Sequence, residues 1–312
     1  MKSLLAVIQV LVMNFYASHA SAWSERELTN DNLHGTLTVP DGENSVPAVL
    51  ILAGSGPVDR DGNLPGVRND SLKMLAHGLA DQGIASLRVD KRGIAASAVS
   101  GLRENDLRFD TYVTDAVGWA ELLGKQSRVA RVVLAGHSEG ALIATIAAQR
   151  TPVSGLILMA GVGEPIANTI DRQLAAAKVP DELQQASRRI IEQLQQGKSV
   201  ADVPAALMAI YRPSVQNYMM SWLTLDPVAE LRKVRGPVLI IQGTTDFQVT
   251  VDDAKHLSEA RPDAKLLIID GMNHILKTAP SDRTANIATY KDPNLALSAP
   301  LVPAIATFVK GL

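Results

Sequence analysis

Short runs of consecutive apolar residues alternate along the chain with stretches in which apolar positions recur every three or four residues. That alternation predicts strands and helices in turn. The run VPAVLILAG (46–54) is apolar at nearly every position, as a strand buried on both faces requires, and a shorter strand-like run, GTLTVP, precedes it at 35–40. Residues 70–82 set Leu72, Leu75, Ala76 and Leu79 on one helical face and stop before Gly83, after which IASLRVD (84–90) reads as the next strand. The pattern repeats with a helix over 108–125, a strand RVVLAG (131–136), a helix from Ser138 to about Gln149, and a strand VSGLILMAG (153–161). Strand, helix, strand is the unit of a parallel sheet, so the expected class is α/β with a mostly parallel, doubly wound sheet.

The alternation stops at Gly161. Residues 162–230 are helical but irregular, with breaks at Pro180, Pro204 and Pro213, and read as a helical cap inserted into the core. Strand and helix then resume with GPVLIIQG (236–243), a helix near 251–260, KLLIID (265–270) and a terminal helix around 299–311. The core therefore divides into residues 23–161 and 231–312, on either side of the cap. Upstream, Lys2 is followed by an apolar stretch from Leu4 to Ala17, broken by Gln9 and Asn14, and then by Ala20-Ser21-Ala22. This reads as a signal peptide over 1–22, cleaved after Ala22, because the apolar stretch is shorter than the roughly 18 residues a membrane span needs. The expectation is an exported protein, periplasmic or secreted, starting near Trp23 and without a stable membrane anchor.

Composition narrows the partners. A chain of 312 residues with 46 % hydrophobic and 20 % charged residues buries a sizeable core, and a net charge of -2 leaves no electrostatic footprint for nucleic acid or an anionic membrane. A small molecule is the expected partner. With no cysteine, the chain has neither disulfides nor a thiol for lipid attachment.

Chemistry concentrates at Gly136-His137-Ser138-Glu139-Gly140, a G-x-S-x-G pattern lying between a predicted strand and a predicted helix. A turn that lifts the serine hydroxyl above the sheet is crowded, and side chains at 136 or 140 would collide with the neighbouring strand and helix. A serine hydroxyl is a weak nucleophile unless a base takes its proton and an acid orients that base. Downstream of Ser138 the histidines are His256, within a helical pattern, and His274, in the loop GMNH after the strand KLLIID. Ligands in such sheets bind at the carboxyl ends of strands, which selects His274 as base. Asp246, just past the strand GPVLIIQG, is the matching acid; Asp270 and Asp226 compete, the latter resembling a helix N-cap. His137 is expected to point into the sheet packing.

With the GHSEG turn, the GTTD turn and the GMNH loop in this order, the sequence resembles the α/β-hydrolase superfamily over essentially all of residues 23–312. LAGSGPVDRDGN (52–63) and VDKRGIAAS (89–97) are similar to a bacterial carboxylesterase-like subgroup related to the serine aminopeptidase and monoglyceride lipase group. The resemblance implies Ser138 as nucleophile, Asp246 as acid and His274 as base. It also implies an oxyanion hole of two backbone N–H groups, those of Glu139 and Ser55, with Gly54 or Gly56 as alternatives to Ser55 by one position. Of the charges in VDRDGN and VDKRG, Arg60 or Arg92 is expected to pair with an acid and brace the loops.

Together these features imply two-step acyl transfer on a carboxylic ester, with no metal and no cofactor. Met208, Tyr211, Tyr218, Met219, Met220 and Trp222 of the cap would suit an apolar acyl or alcohol group, and they would equally suit packing. An aminopeptidase-like or other amide or thioester hydrolase is the alternative, with Glu164 the acid placed to hold a free amine. A non-catalytic binding module is a third reading, and a membrane-attached structural protein would require residues 1–22 to persist.

Overall fold

The computed structural model of the chain describes residues 22–312. Apart from Ala22, the signal peptide assigned above to residues 1–22 lies outside the described residues. Eight strands form one sheet: β1 (Trp23–Asn30), β2 (Leu33–Pro40), β3 (Val46–Leu52), β4 (Ala85–Val89), β5 (Val129–His137), β6 (Gly155–Met159), β7 (Val238–Gly243) and β8 (Lys265–Ile269). Their spatial order is β1-β2-β4-β3-β5-β6-β7-β8. The hairpin partners β1 and β2 run antiparallel, as do β2 and β4, and every pairing from β4 onward is parallel.

The helices are α1 (Ser71–Asp81), α2 (Phe109–Gly124), α3 (Glu139–Ala147), α4 (Ile166–Ala176), α5 (Asp181–Gln195), α6 (Met208–Tyr211), α7 (Gln216–Trp222), α8 (Pro227–Lys233), α9 (Val251–Ala260), α10 (Arg283–Ala288) and α11 (Leu301–Lys310). Because side chains alternate across a strand, β3 feeds two cores at once. Val49 and Ile51 pack with residues of α1 and α11, while Leu50 and Leu52 join the larger core beneath α2 and α3. This double burial is why the 46–54 run contains so few polar positions. α1 ends where the periodicity stopped: Gly83, at φ +74°, takes the left-handed conformation and returns its N–H to Ala80 O, which closes the helix.

Two elements differ from the sequence expectation. β1 was not foreseen, since WSERELTN is mostly exposed and lacks an apolar face; backbone pairing with β2 holds it at the sheet edge. α10 is likewise a short element in a stretch without helical periodicity.

Between β6 and β7 the chain runs through α4 to α8. α8 crosses residue 230, with Leu231 buried in the larger core, and Asp226 caps its N-terminus by accepting from the amides of Val228 and Ala229. α7 sits on the core through aromatic contacts: the Trp222 and Tyr218 rings lie 5.7 and 6.0 Å from that of Phe109, at the start of α2. An ion pair between Arg212 and Glu104 ties the same region to the loop after β4.

Candidate active site

Ser138, Asp246 and His274 each lie just beyond the carboxyl end of a parallel strand, β5, β7 and β8 respectively. Ser138 follows β5 directly, with φ +56° and ψ -122°, a backbone conformation that is costly for a residue with a side chain. Its own N–H donates to Met159 O at the end of β6, which pins the turn to the next strand. Although Ser138 stands at the N-cap position of α3, its side chain makes no capping hydrogen bond. Packing enforces the turn: a Cβ at 136 would lie 2.1 Å from Gly140 O, and one at 140 would lie 2.4 Å from Leu52 O of β3.

Asp246 and His274 come from the loops after β7 and β8, and the backbone brings those loops together. Thr244 N donates to Ile269 O and Thr245 N to Met272 O, each at 3.1 Å. His274 Nδ1 is then 2.8 Å from Asp246 Oδ2. The other carboxylate oxygen of Asp246 accepts from the amides of Gln248 and Val249 at 2.7 and 3.0 Å, and Gln242 Nε2 reaches Oδ2 at 3.2 Å. Burial alone would raise the Asp246 pKa, but the His274 ring and the two amides hold it below the usual carboxylate value. A carboxylate so held is ionised at neutral pH and fixes the imidazole with Nε2 as its remaining nitrogen. Asp226 is the helix cap described above, Asp270 is exposed and bonded to Thr244, and His256 is exposed on α9.

Ser138 and His274 border one cavity of about 100 Å³, together with Gly54, Ser55, His137 and Tyr290. His137 departs from the expectation that it would point into the sheet packing. Its ring lies 4.8 Å from that of His274, and its Nε2 bonds the His274 carbonyl at 2.7 Å. Burial, reinforced by the neighbouring His274, pushes the His137 pKa down to about 4. A second cavity, of about 320 Å³, is bordered by Glu139. Its lining includes Lys91, Tyr112 and Glu139 together with Arg212, Val215 and Tyr218 from the segment between β6 and β7.

Of the six cap residues suggested above as lining, Tyr218 alone borders either of these cavities. Met208 is exposed, whereas Met219 and Trp222 are buried and Tyr211 packs inward with its hydroxyl 2.6 Å from Ser187 Oγ. Glu164 borders neither cavity and is paired with Arg172 at 2.9 Å. Arg60 pairs with Asp90 and Arg92 with Asp115, so both brace loops at the strand ends. Sequence reasoning missed the side chains of Lys91 and Glu139, which meet in a buried cluster with Tyr218. Among the described residues no group of three potential metal ligands comes together.

A mostly parallel eight-stranded sheet with a strained serine turn at the end of a central strand defines the α/β hydrolases. Within that class, the chain belongs to the serine aminopeptidase (S33) family, whose profile matches residues 69–278, a span that contains Ser138, Asp246 and His274. It is also similar to esterase EstD of Thermotoga maritima, with 29% identity over 267 residues. That match covers 82% of this chain and 60% of the relative, so the chain spans about three fifths of the length of the curated relative it matches. Among solved structures, Est1E from Butyrivibrio proteoclasticus superposes with a TM-score of 0.57 at 17% identity, over 92% of this chain and 99% of that one. Proline iminopeptidase of Mycobacterium smegmatis gives 0.57 at 16% identity, over 92% and 98%. At such identities both share the fold with this chain.

Proposed function

We propose that the protein is a serine hydrolase of carboxylic esters that works through an acyl-enzyme. The observation that carries this reading is the 2.8 Å bond between Asp246 and His274, on the strand edge where Ser138 presents a hydroxyl free of capping duty. In the proposed cycle His274 Nε2 takes the Ser138 proton as the hydroxyl oxygen attacks the ester carbonyl, then gives it to the departing alcohol. Water, activated by the same imidazole, releases the acid. Asp246 keeps the imidazole in the tautomer that can accept at Nε2 and stabilises its charged form. The amides of Glu139 and Ser55 receive the negative charge that develops on the carbonyl oxygen.

The cavity at Ser138, about 100 Å³, is well below the roughly 300–1,000 Å³ typical of pockets that enclose a whole small molecule. It suits a short acyl group, with the bulkier half of the substrate directed to the larger cavity beside Glu139. Esters are favoured over amides by two considerations. An alcohol leaves more readily than an amine, and Glu164, the acid considered for a substrate amine, is paired with Arg172 and borders neither cavity. Similarity to an esterase at 29% identity points the same way.

The test is a panel of p-nitrophenyl esters of increasing chain length beside aminoacyl anilides, run on the wild type and on Ser138→Ala, with fluorophosphonate labelling of both. Short esters should turn over fastest, label should attach at Ser138, and Ser138→Ala should lose both properties. Turnover of free-amine anilides without simple esters would overturn the substrate reading, and full activity in Ser138→Ala would overturn the mechanism.

A further inference from the structure

Behind the two amides assigned to the oxyanion lies a buried ion pair that the acyl-transfer cycle does not use. Lys91, two residues past the end of β4, donates from Nζ to Gly54 O at 2.5 Å and lies 3.5 Å from Glu139 Oε2. Its ammonium also stands over the Tyr112 ring, 5.5 Å from the centroid. The other oxygen of Glu139 accepts from the Tyr218 hydroxyl, which arrives on α7 of the cap. The Lys91 and Glu139 side chains are only 9% and 2% exposed.

Covalent connectivity gives this cluster its meaning. Gly54 O and the Ser55 N–H belong to one peptide unit, and with no cis bonds among the described residues they point in opposite directions. A cation bonded to the carbonyl end fixes the plane of that unit and draws electron density away from its N–H, which makes the N–H a stronger donor. The partner of the cation, Glu139, carries the second amide on its own backbone. One ion pair therefore spans both donors, and Tyr218 connects it to the cap. Stability does not explain the arrangement, because a buried ion pair is commonly matched or surpassed by apolar side chains of similar volume.

Resting on the serine-hydrolase reading above, we propose that Lys91 is a positioning residue: clamped by Glu139, its ammonium orients and polarises the Gly54–Ser55 peptide, so that the Ser55 and Glu139 amides face the oxyanion at a fixed separation. Tyr218 makes this strap depend on the seating of the cap. Burial lowers the Lys91 pKa and Glu139 opposes that fall, so the pair is interdependent in charge as well as in geometry.

The experiment compares wild type, Lys91→Met, Glu139→Gln and the double variant on a short p-nitrophenyl ester, with circular dichroism to establish folding. Lys91→Met keeps the apolar stem and removes the charge. Expected is a fall of about tenfold to a hundredfold in kcat, somewhat less than the roughly 10²–10³ lost with a whole oxyanion donor. The same fall should appear in kcat/KM, as for an interaction made only in the transition state. Because the strap acts as one unit, the double variant should lose no more than Lys91→Met alone. Fluorophosphonate labelling, which builds a similar oxyanion, should slow in parallel.

Wild-type kcat in folded Lys91→Met, or losses that multiply in the double variant, would overturn the proposal while leaving Ser138 labelling and the hydrolase reading intact. A wild type that neither labels nor hydrolyses esters would instead overturn that reading. Should Lys91→Met fail to fold, Glu139→Gln decides, since it releases the clamp with little change of shape; unchanged kcat there is equally refuting.

Discussion

His137 offers a stability test that reaches the site without using its chemistry. The side chain is buried, bonded through Nε2 to the His274 carbonyl, and held with a pKa of about 4 against an ordinary 6.5. A histidine whose folded-state pKa lies below its unfolded value is protonated first in the unfolded chain. Its neutral form thus favours the fold fully above about pH 6.5, and that stability drains away as pH falls toward 4. Integrating the two titrations between pH 7 and pH 4.5 gives a loss of about 2 kcal/mol from this one group. His137→Gln removes the titration and keeps an amide N–H that can reach the same carbonyl. Urea unfolding at fixed temperature and ionic strength, repeated at half-unit pH steps, reads the difference between the two proteins. The wild type should lose about 2 kcal/mol more than His137→Gln over that interval. Carboxylates such as Asp246, held below their usual pKa, contribute at lower pH and in both proteins alike. Parallel stability curves from pH 7 to 4.5 would refute the assignment of a buried neutral imidazole at 137.

Two further substitutions test the geometry of the site. In Asp246→Asn the amides of Gln248 and Val249 keep an oxygen at Oδ1, so the new NH₂ replaces Oδ2 and faces His274 Nδ1. The imidazole must then carry its proton on Nε2, and ester kcat should fall about a thousandfold or more with the folded structure retained, as steady-state kinetics beside a thermal melt would show. Gly140→Ala puts a Cβ 2.4 Å from the Leu52 carbonyl, which cannot yield as a flexible side chain would, whereas Gly124→Ala meets only Val132 Cγ2 at 3.7 Å. The first should abolish fluorophosphonate labelling and lower the melting temperature, and the second should keep labelling and gain up to about 1 kcal/mol from reduced backbone freedom.

The inner strands of the parallel sheet were legible because burial on both faces leaves a mark that no loop or surface helix imitates: β3 and β7 are almost unbroken apolar runs. β1 left no such mark. Its energy comes from backbone pairing with β2, and its residues, among them Glu25, Arg26 and Glu27, are those of an exposed edge that must not recruit another strand. The placement of Ser138, Asp246 and His274 was legible for a topological reason, since each follows the carboxyl end of a parallel strand and those ends necessarily share one edge. His137 shows where that reasoning stops. It is the last residue of β5, and at the elbow the pleat ends, so the two-residue alternation that aims Val133 and Leu134 to opposite cores no longer decides its direction. The cap failed for a different reason: composition alone does not separate a cavity wall from packing, and of its aromatic and methionine residues Tyr218 reaches the cavity while Tyr211 turns inward to Ser187. Lys91, Glu139 and Tyr218 come from three segments whose meeting depends on how the cap seats on the strand edge. A charge–charge contact of that kind has no period and no spacing, and it becomes readable only when the fold has closed around it.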